Sequence, residues 1–246
     1  MKRLLSLISV LLLLVVTNGL ASAYSISVFS TDFNSGAPSE FSGYGTIESV
    51  QGFSSYGFNG KMLRNASDNG TGSGPASKTI LTLSGLPDHD SIDLNFLLAI
   101  IDSWDGSAST SPVDPDIFNV TVDGISLFSH TFDNFDEADQ SYYSSPSYSS
   151  TKLVWQKHLG FNSSWEGDSA FDMGLEAAFN NILHSSSTLK IEWFASGSGW
   201  QAGTDESWAI DNVEVIINGV VPEPTTMLLL GTGLIGLAGT RRRMKK

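Results

Sequence analysis

The chain has no cysteine among its 246 residues, so no disulfide can brace it, and a domain of this size must be held by its core, or by core and metal together. It is also poor in positive charge. Of its 13 lysines and arginines, two stand in the first three positions and five in the last six, while only one of the 26 acidic residues, Glu223, lies beyond Val221. Tyr24 to Val221 therefore carries 6 basic and 25 acidic side chains, a net charge of about −19. Such a surface repels nucleic acid and acidic lipid, and leaves cations, neutral glycans and basic proteins as partners. There is no EF-hand spacing, no Gly-x-Ser-x-Gly elbow and no internal repeat. The histidines, His89, His130, His158 and His184, are scattered with no two at a metal-binding spacing, and read as surface or half-buried residues.

What the chain does have is concentrated at its ends. Lys2 and Arg3 precede an apolar run from Leu4 to Val16 and then Ala21-Ser22-Ala23, the charge, length and small-x-small order of a secretory signal peptide over residues 1–23. At the other end, the 16 residues from Thr225 to Thr240 carry no charge. As a helix they would span about 24 Å, a short transmembrane segment. The basic run Arg241, Arg242, Arg243, Lys245 and Lys246 would stay cytoplasmic, leaving everything before it on the exported side.

Val221-Pro222-Glu223-Pro224, followed by that apolar span and the Arg-rich end, resembles the PEP-CTERM sorting signal of Gram-negative bacteria. The resemblance covers residues 221–246, with Pro222, Glu223 and Pro224 as the motif. It implies processing near the motif by the membrane enzyme exosortase, transient anchoring in the inner membrane, and then release or attachment at the cell surface, often alongside exopolysaccharide. Like other tail signals that are removed, it is an address and leaves open what the body does.

The body, residues 24–220, reads as one all-β domain. Tyr24, Ile26 and Val28 alternate on one face of an opening strand, and Ile92, Leu94, Phe96, Leu98 and Ile100 do so over Ser91 to Ile101, a central strand whose other face turns apolar only at Leu97, Ala99 and Ile101. Asp123-Gly124 between 117–122 and 125–132 predicts a hairpin, because both turn positions need positive φ. Further strands are expected over 79–83, 152–159, 188–195 and 209–217. Between Asp168 and Leu183, Phe171, Leu175, Phe179 and Ile182 fall at helical spacing, with Asp168 or Ser169 as cap. Gly174 favours the competing reading, a strand through Met173 and then a loop.

These elements predict a two-sheet antiparallel β-sandwich of jelly-roll type, with immunoglobulin-like and lectin-type sandwiches as alternatives. "TDFNSGAPSEF" near the start and "ESWAIDNVEVII" near the end resemble the first and last strands of jelly-roll carbohydrate-binding modules. That likeness implies glycan binding, and a structural calcium joining the first strand to the last, for which Asp32 and Asp211 are the candidates.

Independently of that resemblance, acidic residues crowd two loops. Asp102, Asp105, Asp114 and Asp116 stand in "DSWDGSASTSPVDPD", and Asp205, Glu206 and Asp211 in "GTDESWAIDN". Dense oxygen donors on loops are how a strand-based fold builds a calcium site. The competing reading is that Asp32 opens a turn while Asp211 and Asn212 hydrogen-bond a neighbouring loop. Trp104, Trp165 and Trp200 sit beside Gly, Ser and Asp, where an exposed indole could stack on a sugar ring; the alternative is that they lid the open ends of the sandwich. Trp193 and Trp208 read as core. No catalytic set stands out. The sequence thus describes an exosortase-sorted surface or matrix protein, non-catalytic, associated with exopolysaccharide and assisted by calcium, against the alternative of a secreted glycan-active hydrolase using loop carboxylates.

Overall fold

A computed structural model describes residues 22–67, 77–107, 115–161, 167–197, 199–221 and 232–233. Ile26–Asn218 form one compact unit, and the two chain ends, Met1–Ser25 and Gly219–Lys246, group into a second. All of the expected signal peptide but Ser22 and Ala23, the whole of Pro222-Glu223-Pro224, and all but two residues of the expected membrane segment lie outside the described residues. Among the described residues no helix is long and apolar enough to cross a membrane.

Among the described residues thirteen strands run in chain order: β1 (Ser22–Thr31), β2 (Phe41–Gly43), β3 (Thr46–Ser49), β4 (Lys61–Asn65), β5 (Thr79–Ser84), β6 (Ser91–Asp102), β7 (Ile117–Val122), β8 (Ile125–Thr131), β9 (Lys152–Lys157), β10 (Asp168–Asp172), β11 (Ile182–Leu183), β12 (Thr188–Ser196) and β13 (Glu206–Val221). They form two sheets. The first has the order β3-β4-β13-β6-β10-β9, with β1 also paired to β13 and β11 to β6; the second has the order β2-β5-β12-β7-β8. The central strands alternate between sheets in the jelly-roll manner: β4, β13, β6 and β10 face β5, β12, β7 and β8.

The opening strand forms but does not bury the face its alternation predicts, since Ile26 is 50% exposed; other elements arise for the expected reasons. β6 buries Ile92, Leu94, Phe96, Leu98 and Ile100 between the sheets. Asp123 and Gly124 adopt φ of 49° and 80° at the β7–β8 turn, as a two-residue hairpin requires. Across the sandwich Phe96 of β6 meets Trp193 of β12 edge-on with ring centroids 5.9 Å apart, and Trp208 of β13 meets Phe118 of β7 at 5.2 Å. Aromatic pairs in this geometry add about 0.5–1.5 kcal/mol beyond their area.

The first sheet has a second apolar face. Ala99, Ile101, Ala170, Ala209 and Met62 pack there against Val50, Phe53, Phe58, Leu159 and Phe161, so a short 3-10 turn, Gln51–Tyr56, and the 159–161 loop cover the end of β6 whose outer face turns apolar. Between 168 and 183 the helical reading gives way to its competitor: β10 is followed by two 3-10 turns, Met173–Leu175 and Ala177–Phe179. Ladder bonds to β6 and β9 on both sides of β10 outweigh the weak local preference.

Candidate functional site

Three carboxylates predicted from two separate loops converge at one end of the sandwich. Asp105 follows the end of β6, Asp116 immediately precedes β7, and Glu206 opens β13; one oxygen of each lies within 4.8 Å of those of the other two. Asp116 and Glu206 are fully buried. The Asp105 and Asp116 segments clasp each other through the backbone, the Asp105 amide donating to Asp116 Oδ2 at 2.8 Å and the Asp116 amide to the Asp105 carbonyl at 2.9 Å. The Gln201 amide donates to Glu206 Oε2 at 2.6 Å. Asp116 Oδ1 is buried with no hydrogen-bond partner.

Two glycines permit this convergence. A Cβ on Gly197, whose φ is +128°, would stand 2.1 Å from the Pro115 carbonyl oxygen, and one on Gly106 would stand 2.6 Å from Asp133 Oδ2. Asp133, which the sequence reading missed, accepts from the amides of Gly106, Phe135 and Asp136.

No basic side chain pairs with Asp105, Asp116 or Glu206 among the described ion pairs. Burial first, then the charges of neighbouring carboxylates, Asp105 and Asp205 for Asp116 and Asp116, Asp205 and Asp105 for Glu206, push the two well above the usual carboxylate range, while a side-chain hydrogen bond with Glu206 pulls Asp116 back in part. Burial also raises Asp105 and Asp133. Three adjacent carboxylates, two of them fully buried and Asp105 half-buried, cannot all stay ionised unaided; a shared proton or a bound cation must balance them. The donors are all oxygen, the set suited to calcium or magnesium rather than zinc.

The remaining predicted ligands are placed elsewhere or at the margin. Asp205 is exposed, accepts from Ser103 Oγ, and adds its field to the three carboxylates. Asp102 lies beside Asp168, which accepts from the Asp102 and Leu159 amides and is raised to about 6 by burial. Asp32 and Asp211 do approach, since Asp32's charge helps raise Asp211, whose carboxyl burial lifts to about 6. Their oxygens serve the chain as the competing reading foresaw: Asp32 binds Asn34, and Asp211 accepts from the Asn59 and Asn212 amides. Asp114 lies outside the described residues.

Two of the three tryptophans expected to stack on sugar require correction. Trp104 and Trp200 are 1% and 0% exposed, sit edge to face at 5.1 Å, and donate to the Ser207 and Ser67 carbonyls. Their polar neighbours belong to loops that fold back over the end of the sandwich, so the indoles become its lid. Trp165 lies outside the described residues, while Trp193 and Trp208 are core as expected.

Two further features were not legible. His89 and His184, 95 residues apart, meet ring to ring: His89 Nδ1 faces the Pro87 carbonyl at 2.6 Å, His89 Nε2 faces His184 Nδ1 at 2.6 Å, and His184 Nε2 faces Asp123 Oδ2 at 3.1 Å. A shallow groove of about 210 Å³ is lined by Glu48, Gln51, Arg64, Asp102, Gly160, Phe161 and Thr204, with the Arg64 guanidinium 5.1 Å above the Phe161 ring.

Comparison with known proteins bears on the chain's end. No curated protein shows a significant match. Among solved structures, the CBM22-2 xylan-binding domain from Paenibacillus barcinonensis Xyn10C is 12% identical over 77% of this chain and 98% of its own, with a TM-score of 0.33. The structures of the Gx and Gt strains of infectious bursal disease virus are each 12% identical, cover 83% and 82% of this chain and 33% of their own, and give TM-scores of 0.24 and 0.23. Likenesses this distant carry no argument, and the jelly roll stands on its strand order alone. Residues 220–243, beginning in the last two residues of β13, match the PEP-CTERM protein-sorting motif; the chain carries the C-terminal sorting tail of a secreted, membrane-transited protein that exosortase processes.

Proposed function

We propose that this is a cell-surface or extracellular-matrix protein whose sandwich, residues 24–220, acts as a non-catalytic binding or structural module in an exopolysaccharide layer. On this reading the signal peptide 1–23 is removed on export, the segment around 225–240 anchors the chain transiently in the inner membrane, and exosortase then releases the body to the cell surface or medium, where calcium assists its fold. The observation that carries the reading is the sorting motif directly behind a strongly acidic jelly roll. The groove supplies a place for one sugar unit, with Glu48, Gln51, Arg64 and Asp102 as the fixed polar groups that orient hydroxyls.

The raised carboxyls of Asp116 and Glu206 are the one feature that favours a hydrolase, since acid catalysis needs a carboxyl protonated near neutrality. Both side chains are fully buried, and no face of either is open to a glycosidic bond. The test is retention of the full chain on exopolysaccharide from its own cells, together with its distribution in cells lacking exosortase. We expect retention that Gln51→Ala weakens, and accumulation in the membrane fraction without exosortase. A chain that binds none of the cells' polysaccharides and distributes identically without exosortase overturns the reading, and sugar release that is lost in Glu206→Gln replaces it with the hydrolase.

A further inference from the structure

The calcium position that the resemblance to carbohydrate-binding modules implies is the Asp32–Asp211 pair, but there both carboxylates are occupied by amides of the chain itself. The opposite condition holds where Asp105, Asp116 and Glu206 meet. Asp116 contributes a fully buried carboxylate with one oxygen, Oδ1, that no protein donor satisfies. Leaving such an atom unmade is expensive, and a buried carboxylate oxygen without a donor points to a missing positive partner.

We infer that Asp105, Asp116 and Glu206 form a divalent-cation site for calcium, distinct from the Asp32–Asp211 position, which ties the end of β6, the start of β7 and the start of β13 together. The inference rests on the calcium clause of the proposed function and names where that calcium binds. Three oxygens within 4.8 Å of one another share a point no more than about 2.8 Å from each (4.8/√3), so a shift of a few tenths of an ångström brings them to the 2.3–2.6 Å of calcium coordination. The site is supported from behind. Trp104, next to Asp105, holds the β13 backbone through its bond to the Ser207 carbonyl, Gly197 fixes Pro115 beside Asp116, and the Gln201 amide orients Glu206. Because β6 and β13 belong to the first sheet and β7 to the second, one ion bridges both layers at a single end of the sandwich. Exposed Asp205 adds negative field at the rim, which raises the local cation concentration.

The experiment is a thermal melt of the full chain in detergent, stripped with chelator and then titrated with calcium chloride, for the wild type, for Asp116→Asn combined with Glu206→Gln, and for Asp211→Asn. At a hundredfold excess over Kd the wild-type Tm should rise by about 5–10 °C. The double variant removes the mutual repulsion while keeping the side-chain shapes, so it should melt in chelator at least as high as the wild type and show no calcium shift. Asp211→Asn should keep the full shift. A shift retained in the double variant, or abolished by Asp211→Asn alone, overturns the site while leaving calcium assistance standing. No shift in the wild type overturns both. If the double variant fails to fold, Asp116→Asn alone in calcium calorimetry decides: loss of one binding equivalent supports the site, and unchanged stoichiometry overturns it.

Discussion

Lowering the pH of the chelated protein from 7.5 to 5.5 should make it more stable, the reverse of ordinary acid denaturation. Asp168 and Asp211 are 1% and 0% exposed, and burial lifts each carboxyl from 3.8 to about 6. The folded state therefore holds protons that the unfolded chain releases, and stability is present at low pH and lost as pH rises from about 4 through 6. Integrated between pH 7.5 and 5.5, each group contributes about 0.8 kcal/mol. Asp105, Asp116, Asp133 and Glu206, all raised chiefly by burial, push the same way. His130, held below its usual value by burial, opposes them. Glu192 does not enter, because Lys190 and Lys78 lower it to about 2, below the window. The two aspartates alone should raise Tm by about 3–6 °C for a domain of this length. Differential scanning calorimetry in EDTA at half-unit pH steps reads the slope, and Asp168→Asn should reduce it. A Tm that is flat or falls from 7.5 to 5.5 would refute the uncompensated burial of these carboxyls.

Other consequences are local. Gly197→Ala should destabilise the chain by several kcal/mol, since its Cβ would overlap the Pro115 carbonyl oxygen, whereas Gly203→Ala, with positive φ but open space, should cost about 1–2 kcal/mol; denaturant melts of both compare them. Trp193→Phe should cost about 1 kcal/mol less than Trp104→Phe, because the Trp193 indole N–H has no partner while that of Trp104 donates at 2.8 Å. Trp104→Ala should lower Tm without a matching selective loss of polysaccharide retention, as expected of a lid residue.

The legible parts of this protein are those whose cause is local. Asp123-Gly124 names its own turn, β6 declares its faces by alternation, and two acidic loops about a hundred residues apart announce themselves by composition. β4 escaped because Lys61–Asn65 buries Met62, Leu63 and Asn65, leaving no alternation to read. Trp104 and Trp200 were open to misreading because polar neighbours describe a loop's chemistry and not the direction in which it folds. His89 and His184 could not be paired from spacing at all; their meeting depends on β11 running beside the start of β6. Asp133 looked like any turn aspartate until Gly106 was packed against it.

The position of β13 has a consequence for timing. It lies between β4 and β6, pairing residue 208 with residue 65 on one side and residue 100 on the other. Until it arrives, β4 and β6 have no shared neighbour, β1 has no partner strand, and the first sheet remains in three pieces. On the export route proposed above, a chain that enters a membrane pore amino terminus first delivers its keystone last, with the sorting tail immediately behind it. Contacts this distant along the chain close slowly, and the first sheet cannot be completed before β13 has emerged.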